Sequence, residues 1–338
     1  MPALPTARVV RFAAAGGPEV IGFSDRALRA PRAGELLVDV VACGVNRADV
    51  LQRRGLYPAP PDAPPDVPGL EYAGTVVQAG AGAGGWRAGD RVMGLVSGGG
   101  MATRLLVPAD EALPVPACLS PEQAAAVPEA FVTAWDALVR QGGLRAGQVA
   151  LVHAAGSGVG TAAVQLAADA GACVAGTSRS ADKLERCRPL GLRVPLPVTR
   201  STREAPARFA DALLAATGGR GADVILDLVG AAYLDENLRA LAPRGRLVVL
   251  GLLGGAEAAL PLARLMERRA RITGSTLRTR PADERMALLA AFAAQVLPRF
   301  DAGRLRPVLG ALLPMSAVAE AHALLERNET FGKVVLRW

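Results

Sequence analysis

Cysteine and histidine are scarce in this chain of 338 residues. The four cysteines, Cys43, Cys118, Cys173 and Cys187, form no C-x-x-C pair, and neither His153 nor His322 stands at a zinc-site spacing from any of them. This argues against a disulfide scaffold and a bound transition metal, and it predicts a reducing, cytoplasmic setting. Aromatic residues make up only 4%, too few to interleave with basic residues as a stacking surface for nucleic acid. Lysine occurs only at Lys183 and Lys333, so almost all of the positive charge behind the net +7 is arginine, and it is dispersed. Local pairs such as Arg53-Arg54 and Arg268-Arg269 do not make a basic stripe, and no nucleic-acid partner is expected. Apolar runs are broken by Gly, Arg or Asp well before about 18 residues, so no membrane-spanning helix and no membrane partner are expected. The opening Met1-Pro2-Ala3-Leu4-Pro5 lacks a basic segment ahead of an apolar run, and no secretory signal is expected.

What is present is an ordinary globular composition, 51% hydrophobic, in a chain long enough for two cores. The N-terminal third reads as β-rich, with short apolar or β-branched runs at Leu36–Val41, Tyr72–Ala79, Arg91–Val96 and Ala102–Val107. Among them Tyr57–Pro68 holds six prolines, which excludes helix and central strand and predicts a surface loop, a candidate lid beside a cleft. Pro121 to Gln141 turns helical, with Ser120 as N-cap and Pro121 at the first helical position. From Gln148 the rhythm changes. Strands are predicted at Val149–His153, Cys173–Thr177, Val224–Leu228 and Arg246–Leu250. Helices are predicted at Val159–Ala170, from Ala181 to Pro189 and around Leu234–Leu241. Such alternation is the pattern of a doubly wound parallel α/β sheet with helices on both faces. Arg271–Leu277 reads as a last edge strand, followed by helices at Glu284–Arg299 and after Ser316 and a closing strand at Lys333–Arg337. The predicted division is a dinucleotide-type domain at 131–277 inserted in a β-rich domain made of 1–130 and 278–338.

The segment Val149-Ala-Leu-Val-His153-Ala-Ala-Gly-Ser-Gly158-Val-Gly160 is a strand, a turn of small residues and a helix start. Small residues let backbone approach a pyrophosphate, and a helix N-terminus offers it free N–H groups and a positive dipole. Gly160 would let the helix pack closely on the strand. Ala155 and Ser157 occupy the usual first and second glycine positions, a departure from G-x-G-x-x-G. At the end of the next strand Ser178 stands where NAD sites carry an acidic residue, Arg179 follows, and Lys183 lies four residues on. A hydroxyl and two cations suit a 2′-phosphate, so the expected cofactor is NADPH.

These segments, with Val45-Asn46-Arg47-Ala48-Asp49, Pro68-Gly69-Leu70-Glu71, Gly89-Asp90-Arg91-Val92, Pro128-Glu129-Ala130-Phe131-Val132-Thr133-Ala134 and Phe331-Gly332-Lys333-Val334-Val335-Leu336, resemble the medium-chain dehydrogenase/reductase superfamily over the whole length. Within it the chain looks like a zinc-free quinone oxidoreductase of the p53-inducible branch. The resemblance implies a GroES-like catalytic domain holding a Rossmann domain. It implies Asn46 and Tyr57 at the nicotinamide end of a cleft as catalytic residues, with Asn46 also touching the cofactor and Thr133 nearby. It places the pyrophosphate on Ala155, Gly156, Ser157, Gly158, Val159 and Gly160, and the 2′-phosphate on Ser178, Arg179 and Lys183. Backbone of Gly251, Leu252, Leu253 and Leu277 would pass over the cofactor, and Asn328, Phe331 and Lys333 would close the site. Related enzymes often carry a Tyr near the adenine beyond the third strand; here that stretch is Val194-Pro-Leu-Pro-Val198. A homodimer through Rossmann edge strands is implied, with Arg271–Leu277 as the edge.

In the superfamily's zinc alcohol dehydrogenases, metal-binding Cys and His stand where this chain has Asn46 and Leu70. An amide and an isobutyl group do not replace a thiolate and an imidazole on Zn²⁺, and the close run of four Cys that forms a structural-zinc lobe is missing. No metal is expected. Without a Lewis acid, alcohol oxidation is disfavoured, whereas a quinone is electron-poor enough to accept hydride unaided. Asn46 would donate a hydrogen bond to a substrate oxygen, and Tyr57 would stack on a ring or donate a proton. Two other readings remain: an enone or enoyl reductase using the same cofactor site, and a non-catalytic, NADPH-binding redox sensor or RNA binder. His153 and His322 are expected to be packing residues.

Overall fold

The computed structural model describes residues 6–199 and 207–338. Met1–Pro5, read above for a leader, lie outside the described residues. The chain divides into two compact units, one made of 1–129 and 277–338, the other of 130–276.

The first unit opens with β1 (Thr6–Phe12) and β2 (Ile21–Ala27), an antiparallel ribbon. Then come β3 (Glu35–Val45), β4 (Glu71–Ala79), β5 (Arg91–Leu95), β6 (Arg104–Pro108) and β7 (Ala112–Pro114). These pair antiparallel around β3 and β4, and their inward residues, including Leu36, Val38, Val40, Tyr72, Val76 and Val92, form one core. A helix, Arg47–Arg53, leaves the end of β3, and the Asp49 carboxylate accepts the N–H of Asn46 at its start. Ser120 caps the next helix by accepting from Gln123, with Pro121 at its first position.

The second unit holds β8 (Val149–Val152), β9 (Cys173–Ser178), β10 (Leu192–Pro197), β11 (Ala222–Asp227), β12 (Leu241–Val249) and β13 (Arg271–Gly274). All six are parallel, in the order β10-β9-β8-β11-β12-β13. The central β8 and β11 are buried at every position, which is why β8 and the Val224–Leu226 centre of β11 read as apolar runs. The strand order turns back beside β8, the place where open α/β sheets bind ligands. The chain then returns to the first unit with β14 (Leu309–Pro314) and β15 (Lys333–Arg337), and β15 lies antiparallel to β3. The architecture is therefore a Rossmann sheet inserted in a β-rich GroES-like domain. Among the described residues no helix is long and apolar enough to cross a membrane.

Three expectations need correction. The last Rossmann strand ends at Gly274 rather than Leu277, because only four residues find partners on β12. Val194–Val198 is not a stretch beyond the third strand; it is mostly β10 itself, pairing with β9 at the sheet edge. Prolines 195 and 197 are tolerated there because the outer side of an edge strand needs no N–H donors. The helical stretch Pro121–Gln141 is broken, with π-helical turns at Pro128–Val132 and Asp136–Gln141.

Candidate functional site

In the second unit the turn after β8 begins with Ala154 at φ 50°, a left-handed conformation rarely held by a residue with a Cβ. Ala155 N–H then donates to Thr177 O, stitching the loop to the end of β9. Ser157 caps the helix Gly158–Asp169 by accepting from Gly160 N–H. The N–H groups of Gly158 and Val159 have no intrahelical acceptor and point out of the helix end. A Cβ at Gly160 would collide with the carbonyl oxygens of Ala154 and Ala155, so only glycine allows the helix this close to the turn. At the tip of β9 Ser178 Oγ accepts from Ser180 N–H, Arg179 is exposed, and the stem of Lys183 packs on Gly156. Thr133 Oγ1 is buried with no hydrogen-bond partner among the described residues, a costly state that a polar ligand group would relieve. These features fit a dinucleotide with a phosphorylated ribose.

His153 braces this unit from below. Its Nε2 faces Asn237 Oδ1 at 2.6 Å, Asn237 Nδ2 donates to Asp227, and Nδ1 meets Thr177 Oγ1 at 2.9 Å. Because the Asn237 oxygen can only accept, Nε2 carries the proton and Nδ1 accepts from the threonine. Burial lowers the affinity of this imidazole for a second proton. It ties the ends of β8, β9 and β11, as its packing role required.

In the first unit Asn46 is held at both ends of its carboxamide. Nδ2 donates to Glu71 Oε1 at 2.9 Å, and Oδ1 accepts from Lys333 Nζ at 2.6 Å. Lys333 also reaches Glu71 Oε1 at 2.6 Å, and both side chains are buried. A Cβ at Gly44 would sit on the Glu71 carboxylate, so β3 makes room for this charge with a glycine. Glu71 Oε2 accepts from Glu129 N–H. Asp49 is buried nearby, accepting from Asn46 and Gly69 N–H groups, and desolvation raises it to about 6 despite those bonds. Tyr57 lies on the Pro-rich loop under Arg278, whose guanidinium sits 5.1 Å from the ring centroid. Arg278 donates to Tyr57 O, Gln52 Oε1 and Ser97 O.

The metal-ligating positions of zinc enzymes do not fit a metal here. The Asn46 oxygen, its one atom able to bind a metal, is taken by Lys333, Leu70 has no donor atom, and among the described residues no group of three His, Cys, Asp or Glu side chains is arranged to hold an ion.

Asn46, Lys333 and Phe331 thus share the first unit with Tyr57, and the loop residues 155–160, Ser178, Arg179, Lys183 and Thr133 share the second. Leu252 and Leu253 are more than half exposed beyond β12 and Gly251 is partly exposed, while Leu277 is buried and belongs to the first unit. Asn328 ends the helix Val318–Arg327 in a left-handed conformation, and its Oδ1 accepts from Arg47. Sequence reasoning did not single out Glu71, Asp49, Glu129 or Arg278 as site residues. Their signal is weak in sequence because the partners lie far apart along the chain.

The fold and the Gly-rich loop together define a class: the chain belongs to the medium-chain dehydrogenase/reductase superfamily. Residues 32–117 match the alcohol dehydrogenase GroES-like domain, and 158–294 match the zinc-binding dehydrogenase family. Within that superfamily the chain is similar to the quinone oxidoreductase of Rattus norvegicus, 31% identical over 332 residues that cover 97% of each protein. It resembles the crystal structure of Escherichia coli quinone oxidoreductase complexed with NADPH, at TM-score 0.84 and 27% identity, covering 98% of this chain and all of that one. It is also 36% identical over 312 residues, 90% of its length, to 13% of the spectinabilin polyketide synthase system protein NorB of Streptomyces orinoci.

Proposed function

We propose that this protein is an NADPH-dependent reductase that passes hydride to a quinone without a metal ion. The observation that carries the reading is the pairing of two features. A cationic cradle closes β9 (Ser178, Arg179, Lys183), and Asn46 and Leu70 stand where zinc relatives have ligands. Bound NADPH supplies hydride. Arg179 and Lys183 hold its 2′-phosphate by charge-assisted bonds, which NADH does not offer. The N-terminus of the helix Gly158–Asp169 neutralises the pyrophosphate. Thr133 Oγ1 gains the partner it lacks. In the first unit Asn46 and Tyr57 orient the acceptor, and the Glu71–Lys333 pair keeps Asn46 in one rotamer.

A second reading, reduction of an activated alkene, is favoured by the likeness to NorB, a polyketide synthase system protein. It uses the same residues with a different acceptor. Four free cysteines suit a reducing cytoplasm, and the open edge of β13 suits a second copy of the chain.

The test is stopped-flow NADPH oxidation against ortho- and para-quinones, enones and enoyl thioesters, repeated with NADH. Quinones should give the largest kcat/KM. Replacing Arg179 with Ala should weaken NADPH about 10-fold or more, the loss of one charge-assisted phosphate contact, and leave NADH nearly unchanged. Equal losses for both cofactors would remove the phosphate role.

A further inference from the structure

We propose that Glu129 is the acid that protonates the substrate oxygen after hydride addition, an inference that rests on the reductase reading above. Glu129 closes the first segment of the first unit, in the π-helical turn Pro128–Val132, a geometry often found at functional sites. Its N–H is anchored on Glu71 Oε2 at 2.9 Å, which fixes where the side chain begins. The side chain lines a narrow cavity walled by Leu70, Leu95, Val96 and Leu277, with Ser97, Arg278 and Arg285 as its polar members. Its free volume of about 10 Å³ is room for one oxygen atom or water, not for a ring.

The other polar groups of this cavity are already engaged. Ser97 Oγ donates to Arg278 O, Arg278 donates to Ser97, Gln52 and Tyr57, and Arg285 makes a two-pronged pair with Glu111. The Glu129 carboxyl alone has no hydrogen-bond partner among the described residues. Part of the residue stays accessible, so the group can reach a substrate atom at the cavity. Burial, followed by the charges of Glu71 and Asp49, pushes the carboxyl up to about 8, against the pull of Lys333 and Arg278. At neutral pH it therefore carries its proton.

The chemistry balances. Reduced nicotinamide gives two electrons and one hydrogen to a quinone, leaving a phenolate-type oxygen. The Glu129 O–H bond breaks, the substrate O–H bond forms, the hydroquinone departs, and the carboxylate regains a proton from solvent. A phenolate's conjugate acid ionises near about 10, so transfer from this acid runs downhill. The same group serves an enone, whose carbonyl oxygen becomes an enolate. The inference therefore adds a requirement: the acceptor carries a carbonyl oxygen small enough to enter the cavity.

The experiment is the pH profile of kcat with NADPH and a quinone, for the wild type, Glu129→Gln and Glu129→Asp. In the wild type kcat should fall as pH rises through about 8. Glu129→Gln should lower kcat about 100-fold, leave KM for NADPH within about twofold, since the residue does not hold the cofactor, and abolish that limb. Glu129→Asp should keep a limb at reduced rate, and it serves as the reporter should the Gln variant not fold. A wild type with no limb near 8, or a Gln variant with wild-type kcat and profile, would overturn the assignment while leaving the reductase reading intact. A wild type that binds NADPH but reduces no carbonyl acceptor would sink both.

Discussion

Glu129 is ionised above about pH 4.5 in an unfolded chain, but in the fold it stays protonated to about 8. Its carboxyl is therefore raised, and the sign of its effect on stability follows. Below pH 4.5 folded and unfolded states are both protonated, and the residue contributes no pH dependence. As pH rises towards 8 the unfolded chain gains a solvated carboxylate that the fold refuses, so stability falls; above 8 the loss is complete. Glutamine cannot ionise. The stability of Glu129→Gln relative to the wild type should thus rise from pH 4 to pH 8, by up to about 5 kcal/mol, on top of a pH-independent offset for the buried amide. Thermal unfolding at several pH values measures it, and a Tm difference independent of pH would contradict it. A stabilised but slow variant is the behaviour expected where function is built at the expense of stability.

At the level of elements, β13 is exposed at all four positions, and its outer edge offers unpaired backbone groups. Beside it Leu262 and Met266, on the helix Leu262–Arg268, are 61% and 75% exposed, and Ile272 is 38% exposed. Edge and apolar patch together fit a second copy of this chain pairing across β13. Light scattering should find two copies per particle, and Met266→Glu with Ile272→Lys should give one, with unchanged far-UV circular dichroism. A monomeric wild type at micromolar concentration would rule the pairing out. The same strand shows what the sequence made readable. The strands read at Val149–His153 and Val224–Leu228 announced themselves by their apolar centres because both faces are covered, and Ser120-Pro121 announced a helix start. By contrast β13 stops early because pairing on β12 ends, β10 hides behind two prolines that only an edge tolerates, and β1 and β2 were not read as strands at all. Partner availability decided those cases, and a single strand does not display its partner.

At the scale of the whole molecule the insertion creates a topological problem: the two chain segments of the first unit are separated by the entire second unit. The return strand β15 solves it by pairing with β3, and Lys333 locks that pairing. Its ammonium reaches Glu71, Asn46 Oδ1 and Val45 O, on partners up to 288 positions away. The reading of residues 331–336 as a family landmark anticipated that Lys333 matters, but from the resemblance it was a cofactor residue. Which carboxylate it meets was not legible, since Glu71 reads as one more polar residue at a strand start. Removing one member of a buried pair leaves the other charge uncompensated, at a cost of about 3–5 kcal/mol. Lys333→Met should therefore strip hydrogen-exchange protection from β3, β4 and β15 while β8, β9 and β11 keep theirs, because each unit has its own core. Glu71→Met added to Lys333→Met should restore most of the lost protection, since paired apolar replacements avoid the stranded charge. It should not restore turnover, because Asn46 then loses both of the side chains that orient its amide. Protection lost equally across both units would mean that they unfold as one body and that the Lys333 tie is not local.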